Sequence, residues 1–148
     1  MKHDKHQRSR KIFFTDFILF LLFLPLFIGG LFLHFAGHGD NHECWHTLAL
    51  IHVIIALLFL ICTGRHILHH WNWYKTLSKG LGKKSRITLI VTILFIIETL
   101  TGIYLLIWGE GANSDIGLLH YQLGIVWAIF ACGHTIKRFK ILKRGLAR

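Results

Sequence analysis

The sequence predicts an all-α integral membrane protein: a four-helix up-down bundle, built as a twofold repeat of one helical hairpin, with both termini cytoplasmic. Three observations lead there. Four apolar runs, at residues 12–35, 45–70, 87–108 and 116–136, are each long enough to cross a hydrocarbon core about 30 Å thick. All 17 Lys and Arg fall on one side of a chain threaded through those runs. Two pairs of histidines, each with a fourteen-residue interval, occupy the second and fourth runs at matching depth. The composition agrees, with 53% hydrophobic residues, one proline and a mean hydropathy of +0.52. The 148 residues read as a single membrane domain, 1–148.

Residues 1–11 carry five basic side chains and no apolar periodicity, and read as a cytoplasmic arm. This start resembles the charged region of a signal peptide. The run behind it, however, is about 24 residues long and meets no small-residue cleavage site, so it reads as a retained span. Pro25 should bend that span, and Gly29 and Gly30 allow a neighbouring helix or a flat ligand to approach closely. The loop AGHGDNHEC is short and acidic. The second span ends at Trp71 and Trp73, which read as interfacial anchors, and is followed by the basic stretch WNWYKTLSKGLGKKSR. An acidic turn, GEGANSD, joins the third span to the fourth, and the tail KRFKILKRGLAR is basic.

The net charge of +10 raises nucleic acid as a partner. The placement of the charge argues otherwise. Arg65, the connection residues Lys75, Lys79, Lys83, Lys84 and Arg86, and the basic residues of both ends share one face. The opposite loops carry Asp40, Glu43, Glu110 and Asp115. That asymmetry follows the membrane, so the implied contact is lipid and not nucleic acid.

His52 and His66 are fourteen residues apart, as are His120 and His134. Fourteen residues are close to four helical turns, so both members of a pair lie near one face, about 21 Å apart along the axis. The second and fourth spans run the same way, which matches His52 with His120 and His66 with His134. Histidine is costly in a span and points into the bundle toward a partner. Zinc would gather three or four ligands at one point. Two facing pairs at two depths instead suit two planar cofactors with axial imidazoles, two haem b groups. Ala56, Thr63, Gly124 and Ala131 flank the histidines on the inward side and leave room for a porphyrin plane. Phe59 and Trp127 stand halfway, seven residues from each histidine. The halves look alike elsewhere too: Gly30-LFLHFAG resembles Gly102-IYLLIWG, and Gly64 and Gly133 closely precede the lower histidines.

This pattern of two fourteen-residue histidine pairs resembles the cytochrome b subunit of quinol–cytochrome c oxidoreductases. By that resemblance His52, His120, His66 and His134 are the axial ligands. The short chain and the stretch Arg65-HILHHWNWYKTL before GKKSRITL are more similar to the flavinylation-associated cytochrome family. That likeness implies an electron carrier of the bacterial inner membrane, with a quinone and an extracytoplasmic flavoprotein as partners. Cytochrome b usually has two glycines fourteen apart on its first and third helices. Here Gly30 and Gly102 match the outer positions, whereas Asp16 and Thr88 stand at the inner ones.

Other polar residues leave alternatives open. His70, one turn below His66, is a second candidate for the inner ligand, and His69 reads as interfacial. Glu98 lies near the middle of the third span beside Thr99 and Thr101 and is a candidate for proton or quinone exchange, or a structural hydrogen-bonded group. Asp16 reads as interfacial. His34, His38, His42 and His46 recur every four residues with Asp40, Glu43 and Cys44 among them. A continuous helix would align His38, His42 and His46 as a copper or zinc site of a transporter or sensor, but Gly37 and Gly39 argue against such a helix. A single-haem protein with one histidine pair unused is the third reading. The three cysteines make no disulfide framework, and Cys44-Trp-His lacks the spacing for covalent haem attachment. No nucleophile or phosphate-binding loop is present, so the chain reads as an electron-transfer subunit and not a complete enzyme.

Overall fold

Helix formation in this protein extends beyond the apolar runs. The computed structural model describes residues 2–39, 42–76, 86–108 and 114–146. Asp40, Glu110 and the basic residues Lys79, Lys83 and Lys84 lie outside them. Helix α1 spans Lys2–Ala36, so the expected arm is helical from its start. Its Lys, Gln and Arg residues are good helix formers, and the first apolar residue marks entry into the span, not nucleation of the helix. Pro25 lies inside α1 without ending it. The helix stops at Gly37, whose N–H donates to the Leu33 carbonyl at 3.0 Å, a common way to close a last turn.

Helix α2, His42–His69, begins three residues before the expected span, with Glu43 in its first turn where the helix dipole favours an acid. At His70 the chain passes directly into the short helix α3, Trp71–Lys75. Tyr74 ties α3 to the next helix by donating to Thr92 Oγ1 at 3.2 Å, since the Thr92 hydroxyl already donates to the Thr88 carbonyl. Helix α4 covers Arg86–Trp108, and α5 runs from Asp115 to Leu146, well past the apolar run. Ser114 caps α5, its hydroxyl accepting from the Gly117 N–H at 3.0 Å.

Four of these helices are long and apolar enough to cross a membrane: residues Arg10–Ala36, His42–His69, Arg86–Trp108 and Asp115–Ile136. The protein is an all-α integral membrane bundle. α1 packs on α2 and α4 on α5, and α1 joins the two pairs by packing on α5. Phe14, Leu21, Ile28, Phe32 and Phe35 point outward along α1, and Ile54, Ile61 and Leu68 along α2. An exposed apolar stripe of this kind suits lipid, not water.

Among the described residues, the buried apolar side chains sit in one layer halfway along the bundle: Phe59, Trp127 and Ala128. Trp127 of α5 is edge-on to Phe59 of α2 and Phe23 of α1, at 5.7 and 5.8 Å between ring centres. Phe95 of α4 completes the layer, 6.0 Å from Trp127 and 6.1 Å from Phe59. Each helix thus contributes one ring. Apolar burial does not drive helices together inside lipid, so close packing of this layer is a main source of association. Trp127→Ala should cost about 3–5 kcal/mol by the cavity it leaves. Thermal unfolding in detergent should show a clearly lower midpoint for it than for Ile129→Ala, whose side chain faces outward.

Candidate functional site

The fourteen-residue interval sets the geometry of the site through the register of each hairpin. In α1–α2, Gly30 lies against His52, and Asp16 lies against His66. In α4–α5, Gly102 lies against His120, and Thr88 lies against His134. Asp16 and Gly30 are fourteen residues apart, as are Thr88 and Gly102. All four long helices therefore carry the same interval, and in each an aromatic residue divides it in two: Phe23, Phe59, Phe95 and Trp127. Above the aromatic layer lies the level of His52 and His120, and below it the level of His66 and His134.

At the upper level the two glycines are needed for close approach. A Cβ at Gly30 would stand 3.2 Å from His52 Cε1, and one at Gly102 would stand 3.2 Å from His120 Cε1. Any larger residue would push the rings aside. The His52 and His120 rings approach with centres 6.5 Å apart and planes nearly perpendicular, at 87°. His120 Nδ1 donates to Thr101 Oγ1 at 2.8 Å and meets Glu98 Oε2 at 3.0 Å. The Thr101 hydroxyl is turned toward the carbonyls of Ile97 and Glu98, each at 3.1 Å, which leaves its lone pairs for the imidazole. His52 Nδ1 is buried without a hydrogen-bond partner, although the Leu26 carbonyl of α1 faces the ring.

At the lower level His66 Nδ1 donates to Asp16 Oδ1 at 2.7 Å, a short charge-assisted bond. Thr88 Oγ1 lies 3.4 Å from His134 Nδ1, a longer and weaker contact. His70 stands beside His66, their ring centres 4.7 Å apart. Asp16, His66 and His70 each bring a ligand atom within 4.8 Å of the others, all half-buried. One carboxylate and two imidazoles so placed could hold a metal ion.

Hydrogen bonding at Nδ1 decides the chemistry of the ring. A histidine whose Nδ1 proton is held by a carboxylate or hydroxyl presents Nε2 as a lone pair, the form in which imidazole binds metals. His66 and His120 are held in that way, and His134 has Thr88 in the same place. Among the described residues, burial of large apolar side chains is confined to the aromatic layer. The two histidine levels are lined instead by imidazole, small residues, hydroxyls and carboxylates.

Comparison of the chain with protein-family models, curated proteins and solved structures returns no match. The site stands on its own residues. It belongs to a membrane-spanning bundle, and its Asp16, His66 and His70 can hold a metal ion. A redox or metal-binding role fits that arrangement.

The remaining candidates are placed as follows. Gly124 faces the Glu98 carboxyl, its built Cβ position 3.8 Å from Glu98 Oε2. Ala56 and Ala131 are half-buried, and Thr63 Oγ1 is buried without a partner. Glu98 does not point toward lipid; it lies between Gly124 and His120, with its Oε1 buried and unpaired. Among the described residues, the outer histidines are not brought together as one metal site. α1 ends at Ala36, so His38 lies in the turn, its Nδ1 donating to the His34 carbonyl at 2.9 Å, and His42 and His46 are exposed on α2. The His34 ring stacks on Tyr121 instead, with centres 3.7 Å apart.

Asp16, Thr88, Thr101, Phe23 and Phe95 are the residues that sequence reasoning passed over or read differently. For all but Thr101 the signal was present: the same interval, halved by an aromatic, recurs in the first and third spans. Nitrogen NMR of the histidine-labelled, metal-free protein should find His66 in the Nδ1–H form, against the free imidazole's mixture of tautomers. Asp16→Ala should return His66 to that mixture, and an unchanged His66 signal would contradict the hydrogen bond.

Proposed function

We propose that this chain is a transmembrane dihaem b-type cytochrome. It relays electrons between a membrane quinol or cytoplasmic donor and an extracytoplasmic acceptor such as a flavoprotein. Both termini are cytoplasmic in this reading, the membrane is the inner membrane of a bacterium, and the flavinylation-associated cytochromes are the family it points to. The observation that carries the proposal is the approach of His52 to His120, with 6.5 Å between ring centres. At this separation His52 and His120 would be the two residues to hold one haem iron between them, supplying imidazole nitrogen as the ligand. The pair offers two ligands at a common depth. It does not suit a tetrahedral ion, which needs more donors at the same point.

Haem b held by two histidines supplies one-electron transfer at an iron with no open coordination position. The protein does the rest. His52 and His120 would hold the upper group, with Gly30 and Gly102 giving the rings room to sit close to the helix backbones. His66 and His134 would hold the lower group, with Asp16 and Thr88 orienting them. The aromatic layer of Phe23, Phe59, Phe95 and Trp127 keeps the two levels apart and dry. Gly124 gives the Glu98 carboxyl its place against His120, and Ala56, Thr63 and Ala131 line the inward faces between histidines and aromatic layer.

A second reading has its own observation. Asp16, His66 and His70 form a group of three metal ligands, which suits a copper or zinc transporter or sensor. His66 serves in both readings, so one sample separates them. Protein purified from haem-supplied cells should contain two haem b per chain, with a reduced-minus-oxidised spectrum of two components. His52→Ala or His120→Ala should remove one component, and His66→Ala or His134→Ala the other. One haem per chain, lost with a single pair, would leave only half of the proposal standing. Colourless protein that binds zinc or copper at micromolar concentration, and loses it in His70→Ala, would replace the proposal with the second reading.

A further inference from the structure

We infer that Asp16 and Glu98 are positioning residues that give each level one carboxylate-bonded histidine, and thereby hold both redox centres at low potential. The inference rests on the dihaem reading and extends it to the control of the centres. Four histidines face four different Nδ1 environments. His66 donates to the Asp16 carboxylate at 2.7 Å, and His120 shares its Nδ1 proton between the Thr101 hydroxyl at 2.8 Å and the Glu98 carboxylate at 3.0 Å. His134 has the Thr88 hydroxyl at 3.4 Å, and His52 Nδ1 lies beside Gly30 with no partner. The lower level therefore has its carboxylate on the α2 side, supplied by α1. The upper level has its own on the α5 side, supplied by α4. Each level thus has one imidazole whose Nδ1 faces a carboxylate.

A carboxylate at Nδ1 pulls the imidazole proton toward itself and raises electron density at Nε2. A more basic Nε2 stabilises the oxidised, more highly charged metal over the reduced one. The equilibrium affected is gain of one electron by the centre; no bond forms or breaks, and the Nδ1 proton stays between imidazole and carboxylate. Glu98 carries a second indication. Its Oε1 is buried without a hydrogen-bond partner, and a carboxylate so placed in an apolar bundle needs positive charge nearby. An oxidised bis-imidazole haem, which has a net positive charge, would provide it through His120. The Glu98 side chain is 12% exposed and that of Asp16 is 33% exposed, so solvent screens the upper carboxylate less. The effect should be larger at the upper level.

Redox titration of the purified, haem-loaded protein, following each spectral component, tests this. Asp16→Asn keeps an acceptor oxygen and removes the charge. It should shift the lower component alone toward reduction by about tenfold in its equilibrium constant, or about 59 mV for one electron. Glu98→Gln should shift the upper component alone, by as much or more. Asp16→Glu should restore the lower component to its original potential. Thr88→Ala, which removes a long hydroxyl contact, should move the lower component by less than the Asp16→Asn change. Potentials unmoved in both neutral variants, with two haems still bound, would overturn the inference while leaving the dihaem reading intact. So would equal shifts of both components in either variant. If Asp16→Asn fails to retain haem, Glu98→Gln decides by itself. Wild-type protein without haem would instead overturn the dihaem reading.

Discussion

An imidazole inside an apolar bundle has two polar nitrogens and no water to satisfy them, so the neighbouring helix has to supply the partner. Leaving a buried donor unpaired costs about 1–3 kcal/mol, and making the bond returns about 1 kcal/mol net. The bonds from His66 to Asp16 and from His120 to Thr101 and Glu98 meet this requirement across helix pairs. They can form only in one register of each hairpin. The same register brings Gly30 under His52 and Gly102 under His120. Sliding one helix by a turn would place a bulky side chain against an imidazole ring and leave a histidine unpaired. Polar satisfaction and steric fit thus select a single alignment.

The aromatic layer follows from that alignment. Because each fourteen-residue interval is halved by a ring, registering the histidines also brings Phe23, Phe59, Phe95 and Trp127 to one height. The bundle is tightly packed there, and its polar residues are sorted to the levels on either side. Such an arrangement combines a rigid centre with two lined sites. Stability is drawn from a small core and from close helix approach at the glycines, which is how helices associate in lipid.

Much of this was legible along the chain. The four spans follow from apolar length, and the approach of His52 to His120 follows from equal spacing and shared direction. Phe59 and Trp127 stand out at the midpoint of each interval. Gly30 and Gly102 read as places of close approach, and they are. Asp16 and Thr88 were harder to read. Taken against a pattern of paired glycines they look like departures, and Asp16, near a span end, reads as interfacial. Their partners lie 50 and 46 residues away in sequence, so only hairpin register connects them. Glu98 was visible as a costly intramembrane carboxyl, but its contact with His120 and its lodging against Gly124 depend on how α4 faces α5. The outer histidines show the reverse case: a regular spacing of four that the turn at Gly37 interrupts, leaving His34 on Tyr121 and His38 on a backbone carbonyl.

The sequence by itself determined that this is a membrane protein of four long helices with histidines at two depths. Those properties depend on length, hydropathy and period, which are local and additive. Tertiary structure decided which group meets each imidazole: a carboxylate at His66, a hydroxyl and a carboxylate at His120, a hydroxyl at His134, and glycine beside a backbone carbonyl at His52. That choice depends on the rotation and vertical offset of neighbouring helices, to which a pattern along one helix is blind. Its consequence is chemical, since the partner at Nδ1 governs how strongly Nε2 binds a metal.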